Sequence, residues 1–441
     1  MQLTIEKLVY GGDGLARVEQ ADGKRKTVFV PLVLPGERVE ATVIEERPGF
    51  ARAKLDAVLD PSAQRTQPPC PYFGACGGCH YQHATYEEQL KLKEQILRET
   101  VARIAKIELP EIAVHASPRL HYRNRTRLKT AIVAGDATKF AIGYYKLGSH
   151  EFLPVRECPI SSPLINRAIE ALWELSVVHD LPKGVGEIEL FADDADEKLL
   201  IELLVTADAQ QTATGLFAEE IERAIPGVVG VAAVPYRRNA DETVAAPELN
   251  GVLEQRGNAL TGRDYLDYRI GEFGYRVSAG SFFQTNRHLT STLIEAVRAG
   301  AKGKLAIDLY AGAGLFTLPL AKSFERVVAV EPAPSSFADL KSNAPRNAKV
   351  LESKTEAFLE HTRQKIDFVV VDPPRAGLGK RVVSGLTKLG PKSLTYVSCD
   401  PSTLARDLPG LAAAGFRITE AHLFDLFPQT FHIETMLRME R

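Results

Sequence analysis

Sulfur is scarce in this chain and its charge is almost balanced. Of 441 residues only five are cysteine, three methionine and one tryptophan, while 54 lysines and arginines meet 56 aspartates and glutamates for a formal charge of −2. That balance excludes attraction to nucleic acid by net charge, so any RNA contact must come from a local basic patch. Five cysteines are too few for a disulfide scaffold; in a reducing compartment they point to metal ligation or catalysis. Long apolar runs are missing too: stretches such as "VVGVAAV" at 228–234 are too short to cross a bilayer. No charged-then-apolar stretch opens the sequence, so the expected location is the cytoplasm, with no membrane partner. Neither an internal repeat nor a low-complexity tract is evident. What remains is 45% hydrophobic and 25% charged residues, the composition of a soluble protein long enough for roughly two to four domains.

Residues 1–60 read as short strands separated by Gly and charged turns, as in "LTIEKLVYGGDGLARV" and "KTVFVPLVLPGERVEATVIEE". Regular spacing of this kind predicts a small OB-like β-barrel. The connector "DPSAQRTQPP" runs straight into "CPYFGACGGCH". Thr85-Tyr86-Glu87-Glu88 has the pattern of a capping box. It opens a helix over 85–105 with Tyr86, Leu90, Leu97, Val101 and Ile104 at helical spacing, free to pack on the C-terminal domain. Residues 61–275 otherwise mix strands with a helix or two, a central α+β domain. Over 276–441 the texture becomes strand–helix alternation, with "KLAIDLY", "RVVAVE", "IDFVVVD" and "SLTYVSC" as short apolar strands. An α/β architecture ending in a Rossmann-like parallel sheet is expected.

"AIDLYAGAGLFTLPLA" (306–321) is a strand ending near Asp308, a Gly-rich turn and a helix. Glycines there let the backbone approach a ligand at the helix N-terminus. The G-x-G-x-x-G of a nicotinamide dehydrogenase is absent; Ala311-Gly312-Ala313-Gly314 resembles instead the first motif of S-adenosylmethionine-dependent methyltransferases. Glu331 ends the next strand at a spacing suited to ribose hydroxyls. In Asp372-Pro373-Pro374-Arg375 the tandem prolines fix a rigid turn at the carboxyl edge of the sheet, unless they merely end a strand. Cys399, in "VSCDPSTLARDL", closes the following strand at that same edge, with Asp400 placed to cap the next helix and Pro401 in its first turn. A thiol there packs as a small apolar residue or serves as a nucleophile. The helix dipole lowers its pKa and Asp400 opposes that, so a modest downward shift is expected. A methyltransferase gains from a thiolate when its target is carbon 5 of uracil, a poor nucleophile until sulfur adds at carbon 6. A base must then take the carbon 5 proton. Glu434 in "FPQTFHIE" is a candidate base; His432 competes, since strand alternation would put both on one face.

In this order "FFQTN", "DLYAGAGLFTLPLA", "DPPRAGL", "SCDPSTLARDL" and "FPQTFHIE" resemble the RNA uracil-5-methyltransferase family, over essentially the whole chain. The resemblance implies a class I methyltransferase domain, Cys399 as nucleophile and Glu434 as proton acceptor. It implies Gln284, Tyr310, Glu331 and Asp372 around S-adenosylmethionine, with Arg375 on the uracil side. Cytosine-5 relatives would carry a second cysteine after a proline in the Asp372 motif; "DPPR" has none. The N-terminal barrel resembles a TRAM domain, an RNA-binding module.

Cys70, Cys76 and Cys79, spaced C-x5-C-x2-C, and the distant Cys158 could complete a four-thiolate site. Their spacing leaves iron–sulfur and zinc equally open, with His80 and His83 nearby. Resemblance to the ribosomal-RNA members of the family implies a 4Fe-4S cluster. "RLHYRNRTRLKT" (119–130) alternates Arg119, His121, Arg123, Arg125, Arg127 and Lys129. On one strand these share a face, either a ribbon that tracks phosphates or a solvated edge. Phe282 and Phe283 are candidates to stack on a base, one of them being equally suited to the core. A TRAM-like barrel together with clustered cysteines favours 23S ribosomal RNA over transfer RNA as substrate. A non-catalytic RNA-binding or ribosome-assembly protein is the other class, and a small-molecule or protein methyltransferase a third.

Overall fold

The computed structural model describes residues 1–19, 23–133, 138–236 and 257–441. Six strands between Gln2 and Asp60 form one sheet. Strand Arg38–Arg47 shows how: Val39 and Ala41 point inward between exposed Arg38, Glu40 and Thr42, the period of two that a half-buried strand requires. With Leu3, Ile5, Val28, Val30 and Ala51 they make a small core of their own.

The central region carries a seven-stranded sheet. In order its strands are Phe152–Pro154, Phe140–Tyr145, Arg125–Ile132, Val185–Ala192, Leu199–Val205, Val228–Pro235 and Asn258–Gly262. Helices Pro163–Val178 and Gln211–Ala224 cover one face through Ile165, Ile169, Leu172 and Phe217, packed on Leu128, Ile188 and Leu190. The other face overturns the phosphate-tracking ribbon. Arg125, Arg127 and Lys129 lie there, but strand Val185–Ala192 runs antiparallel beside them and presents Glu187 and Glu189. Lys129 pairs with Glu187, and Arg127 reaches Glu189 at 2.6 Å. Arg125, 6% exposed, pairs with Glu189, with Glu202 at 2.9 Å, and donates to the Ser281 carbonyl at 2.5 Å. A buried cation such as Arg125 requires such partners; Arg127 and Lys129 are partly exposed and are paired with the same acids. The single-strand expectation fails as well, because residues 119–124 are not a strand: His121 has φ 55° and Tyr122 and Asn124 are buried.

The C-terminal sheet has eight strands in the order Ala348–Leu351, Phe324–Val330, Gly303–Leu309, Phe368–Val371, Ser393–Ser398, Glu434–Glu440, Arg417–Phe424 and Ile112–His115. The first five run parallel, and Glu434–Glu440 turns antiparallel beside Ser393–Ser398. Strand order reverses at Gly303–Leu309, the switch point at whose carboxyl end open α/β sheets bind ligands. The edge strand Ile112–His115 and helix Tyr86–Ala105, packed on helix Pro401–Ala413, come from chain before residue 276. The helix starts where expected, but Thr85 does not cap it: its hydroxyl donates to Gln64 Oε1 at 2.8 Å. Among the described residues no helix is long and apolar enough to cross a membrane.

Candidate active site

Strand Gly303–Leu309 delivers Asp308 into the sheet and then turns at Tyr310, whose φ of 63° is uncommon for a bulky side chain and is found mostly at functional turns. Gly314 follows with φ 96°; a Cβ there would lie 3.0 Å from Leu318 and 3.1 Å from Leu340, so the turn packs tightly because it is glycine. Thr317 donates to Asp308 Oδ2 at 2.5 Å, and Asp308 Oδ1 has no partner among the described residues. Burial, with the charges of Asp372 and Glu331 added, pushes the Asp308 carboxyl up to about 7. Glu331, 7% exposed, accepts from Gly312 N at 2.9 Å and Ala333 N at 2.8 Å, which pins the next strand end to the Gly-rich turn.

Burial also pushes Asp372 up to about 7. The turn after it is stitched to the cysteine-bearing segment. Thr403 donates to the Arg375 carbonyl at 3.0 Å, Arg406 to the Ala376 carbonyl at 2.7 Å, and Leu378 N to Asp407 at 2.8 Å. Gly377 has φ 73°, and a Cβ on it would meet Arg406 and Asp407 at 2.7 Å. Asp400 caps helix Pro401–Ala413 as its sequence predicts, accepting from Ser402 N at 2.8 Å and Thr403 N at 2.9 Å, a cap that stabilises by about 1 kcal/mol.

The Cys399 thiol departs from expectation. Its pKa is raised, first by burial, then by the charges of Glu434 and Asp372 and, less, Asp400; Arg375 alone pulls it down. Glu434 begins strand Glu434–Glu440, is 3% exposed, and is pushed well above the carboxylate range by burial and then by Asp372. His432 does not share its strand face, because the strand begins at Glu434. His432 sits in the preceding loop, 3.3 Å from the Arg375 guanidinium, and burial with that cation holds its ring well below its ordinary pKa. Gln284 is 6% exposed, while Phe282 is 53% exposed and Phe283 is core, 5.0 Å from the Tyr268 ring. Arg123 donates to the Arg125 carbonyl at 2.8 Å.

The upstream thiols share a region. The charge of Cys158 raises Cys70, Cys76 and Cys79, after burial, which pushes Cys76 up to about 11. Among the described residues no three His, Cys, Asp or Glu side chains form a group able to hold a metal ion. The donor set is nonetheless all thiol, and the buried Gln82 side chain, beside these residues in sequence, hydrogen-bonds the Cys79 sulfur and opposes the rise of its pKa. Gln82 Oε1 accepts from Cys70 N at 3.1 Å. The neighbouring His80 and Tyr81 donate their backbone N–H groups to the Gln429 carbonyl at 2.8 and 2.9 Å, fixing this segment to the loop before Glu434. Sequence reading passed over three contributors: Asp308 as part of a carboxylate group, the buried pair Lys93–Asp425, and Tyr10, whose hydroxyl meets the Cys399 carbonyl. Of these only Lys93 left a signal, a cation on the apolar face of its helix.

A family model described as tRNA (Uracil-5-)-methyltransferase matches residues 260–441, and a TRAM domain model matches residues 1–55. An RNA methyltransferase of Aquifex aeolicus is 34% identical over 100% of this chain and 98% of its own. The 23S rRNA (uracil(1939)-C(5))-methyltransferase of Chromohalobacter salexigens is 33% identical over 100% of this chain and 89% of its own. The crystal structure of a Pyrococcus abyssi tRNA (uracil-54, C5)-methyltransferase with S-adenosyl-L-homocysteine shares the fold, with a TM-score of 0.73 at 23% identity over 100% of both chains.

Proposed function

The chain belongs to the RNA uracil-5-methyltransferase family, and from that premise we propose how its residues divide the reaction. The enzyme methylates carbon 5 of uracil in RNA. S-adenosylmethionine supplies the methyl group as an electrophilic carbon on a sulfonium cation. In our reading Cys399, having lost its proton to solvent, attacks carbon 6 of the ring as the thiolate, and the displaced π electrons make carbon 5 nucleophilic. After carbon 5 has taken the methyl group, Glu434 accepts the proton it still carries. Those C–H electrons restore the ring double bond and expel the Cys399 thiolate. The observation that carries this is the convergence of Cys399, Glu434 and the Asp372–Arg375 turn, from three separate stretches of chain, within reach of one another's charge. Burial and Asp372 raise the proton affinity of Glu434, which suits an acceptor.

Gln284, Tyr310, Glu331 and Asp372 would hold the cofactor; the carboxylates of Glu331 and Asp372, both felt by Asp308, suit a cation. Arg375 and Phe282, both exposed, and Arg123 are proposed to meet RNA; Arg125 and Arg127 are not, being paired internally. The N-terminal TRAM match and the full-length likeness to a 23S rRNA enzyme support large-subunit ribosomal RNA in the cytoplasm as the substrate. Trapping on RNA carrying 5-fluorouridine tests the chemistry, because fluorine at carbon 5 cannot leave as a proton. Wild type should form a covalent adduct at Cys399 and Cys399→Ala none; an adduct in Cys399→Ala would reassign the nucleophile.

Cys70, Cys76, Cys79 and Cys158 are proposed to ligate a 4Fe-4S cluster, supported by four thiols in one region and by the Gln82 side chain, which hydrogen-bonds the Cys79 sulfur. Anaerobically purified protein should be brown with broad visible absorbance. Colourless protein with stoichiometric zinc would give the site to zinc.

A further inference from the structure

One turn of the N-terminal sheet leaves that domain and reaches the active site. Strands Lys7–Leu8 and Gly14–Glu19 are joined by residues 9–13, closed by Val9 N to Asp13 O at 2.9 Å and Gly12 N to Val9 O at 3.1 Å. Gly11 and Gly12 take φ of 109° and 97°, which lets so short a turn project Tyr10 away from its own sheet. The Tyr10 ring stands edge-on to Phe431 at 5.6 Å, and Phe431 in turn meets His80 at 4.6 Å and His432 at 4.3 Å. The N-terminal domain, the cysteine segment and the loop before Glu434 thus share one aromatic contact. At its end the Tyr10 hydroxyl donates to the carbonyl oxygen of Cys399 at 3.3 Å.

That carbonyl occupies a gap in the regular structure. The last sheet pairing on its strand is Ser398 with Thr435, and the first helical bond runs from Leu404 N to Asp400 O at 3.1 Å. Cys399 belongs to neither ladder. The peptide after it is held at its amide, where Asp400 N donates to Ser398 Oγ at 3.3 Å, and at its carbonyl by Tyr10, so the direction of Cα–Cβ–Sγ rests on these two bonds. We propose that Tyr10 is a positioning residue for the nucleophile, fixing the Cys399 peptide from a separate domain so that Sγ faces carbon 6 of the target ring. This rests on the reading of Cys399 as nucleophile. The phenol is suited to donating: burial, then the charges of Asp400 and Cys399, raise its pKa far from ionisation. An RNA-binding domain that completes the catalytic loop also ties seating of RNA on the N-terminal sheet to the geometry of the thiol.

Tyr10→Phe keeps the ring against Phe431 and removes only what the hydroxyl contributes, its bond to the Cys399 carbonyl and its contact with the Asp400 carboxylate. On 5-fluorouridine RNA its rate of covalent adduct formation should fall about three- to tenfold, the loss set by one neutral hydrogen bond. Its RNA dissociation constant and S-adenosylmethionine affinity should match wild type. That split separates positioning from a structural or RNA-contact role. A wild-type adduct rate in Tyr10→Phe, or a loss confined to RNA affinity, would overturn the proposal while leaving Cys399 intact as nucleophile. Absence of any adduct at Cys399 in wild type would overturn both readings. Should Tyr10→Ala fail to fold, Tyr10→Phe still decides.

Discussion

A thiol at a helix N-terminus gains up to about 2 kcal/mol from the dipole when partly buried, roughly one and a half pKa units. At Cys399 that gain is overwhelmed by burial and by Glu434 and Asp372, because desolvation and like charge shift buried groups by up to several units. Arg375 is the group that draws the thiol toward ionisation. Removing it should therefore raise the thiol pKa further. Iodoacetamide labelling mapped to Cys399 at pH 8 should slow by about two- to fivefold in Arg375→Ala, the range of an exposed charge pair, with the pH profile displaced upward. An unchanged profile would deny Arg375 any influence on the thiol. The position of Cys399 and the Asp400 cap were legible in "SCDPS" because both are local. The electrostatic outcome was not, since Glu434 and Asp372 arrive from other strands.

Helix Tyr86–Ala105 shows what periodicity conveys and what it leaves out. Leu97 and Val101 are buried as the apolar spacing predicts, but Gln89 and Lys93 are buried completely on the same face. Lys93 donates to Asp425 at 2.6 Å and to the Phe427 carbonyl at 3.0 Å, and Gln89 exchanges bonds of 3.0 Å with the side chain and backbone N–H of Gln429. Gln429, at φ 69°, is held in a strained conformation by these contacts. The helix is a clamp on the loop that leads into Glu434. Lys93→Met leaves Asp425 buried and unpaired and should cost about 3–5 kcal/mol in urea denaturation, and Lys93→Met with Asp425→Leu should recover much of that. Equal losses in single and double variants would show that the pair is not the source. The same logic explains the misread ribbon. Alternating Arg125, Arg127 and Lys129 looked like a surface for phosphate, yet "EIEL" and Glu202 carried the matching acids. Alternation within one strand gives the face; only pairing of strands shows whether that face meets water.

At the scale of the molecule, the C-terminal sheet is assembled from distant stretches, with Ile112–His115 on its edge, helix Tyr86–Ala105 on its flank and Tyr10 against Cys399. Order along the C-terminal sheet was readable because each strand–turn–helix unit is contiguous; these insertions were not, because short segments acquire their partners only in three dimensions. The assembly brings Asp308, Glu331 and Asp372 within reach of one another's charge, with Asp308 and Asp372 both pushed up to about 7. Such carboxyls hold protons near neutrality when no cation is present. A sulfonium ligand favours their ionised forms, so its affinity must climb as pH rises through 7 and level off above. For one such group the gain between pH 6 and pH 8 is about tenfold. S-adenosylhomocysteine has the same amino acid and nucleoside parts but no sulfonium charge, and should gain less over that range. Calorimetric titration of both ligands at the two pH values checks this, and Asp372→Asn should narrow the difference between them. Equal pH dependence for the two ligands would mean that the carboxylates do not face the sulfur.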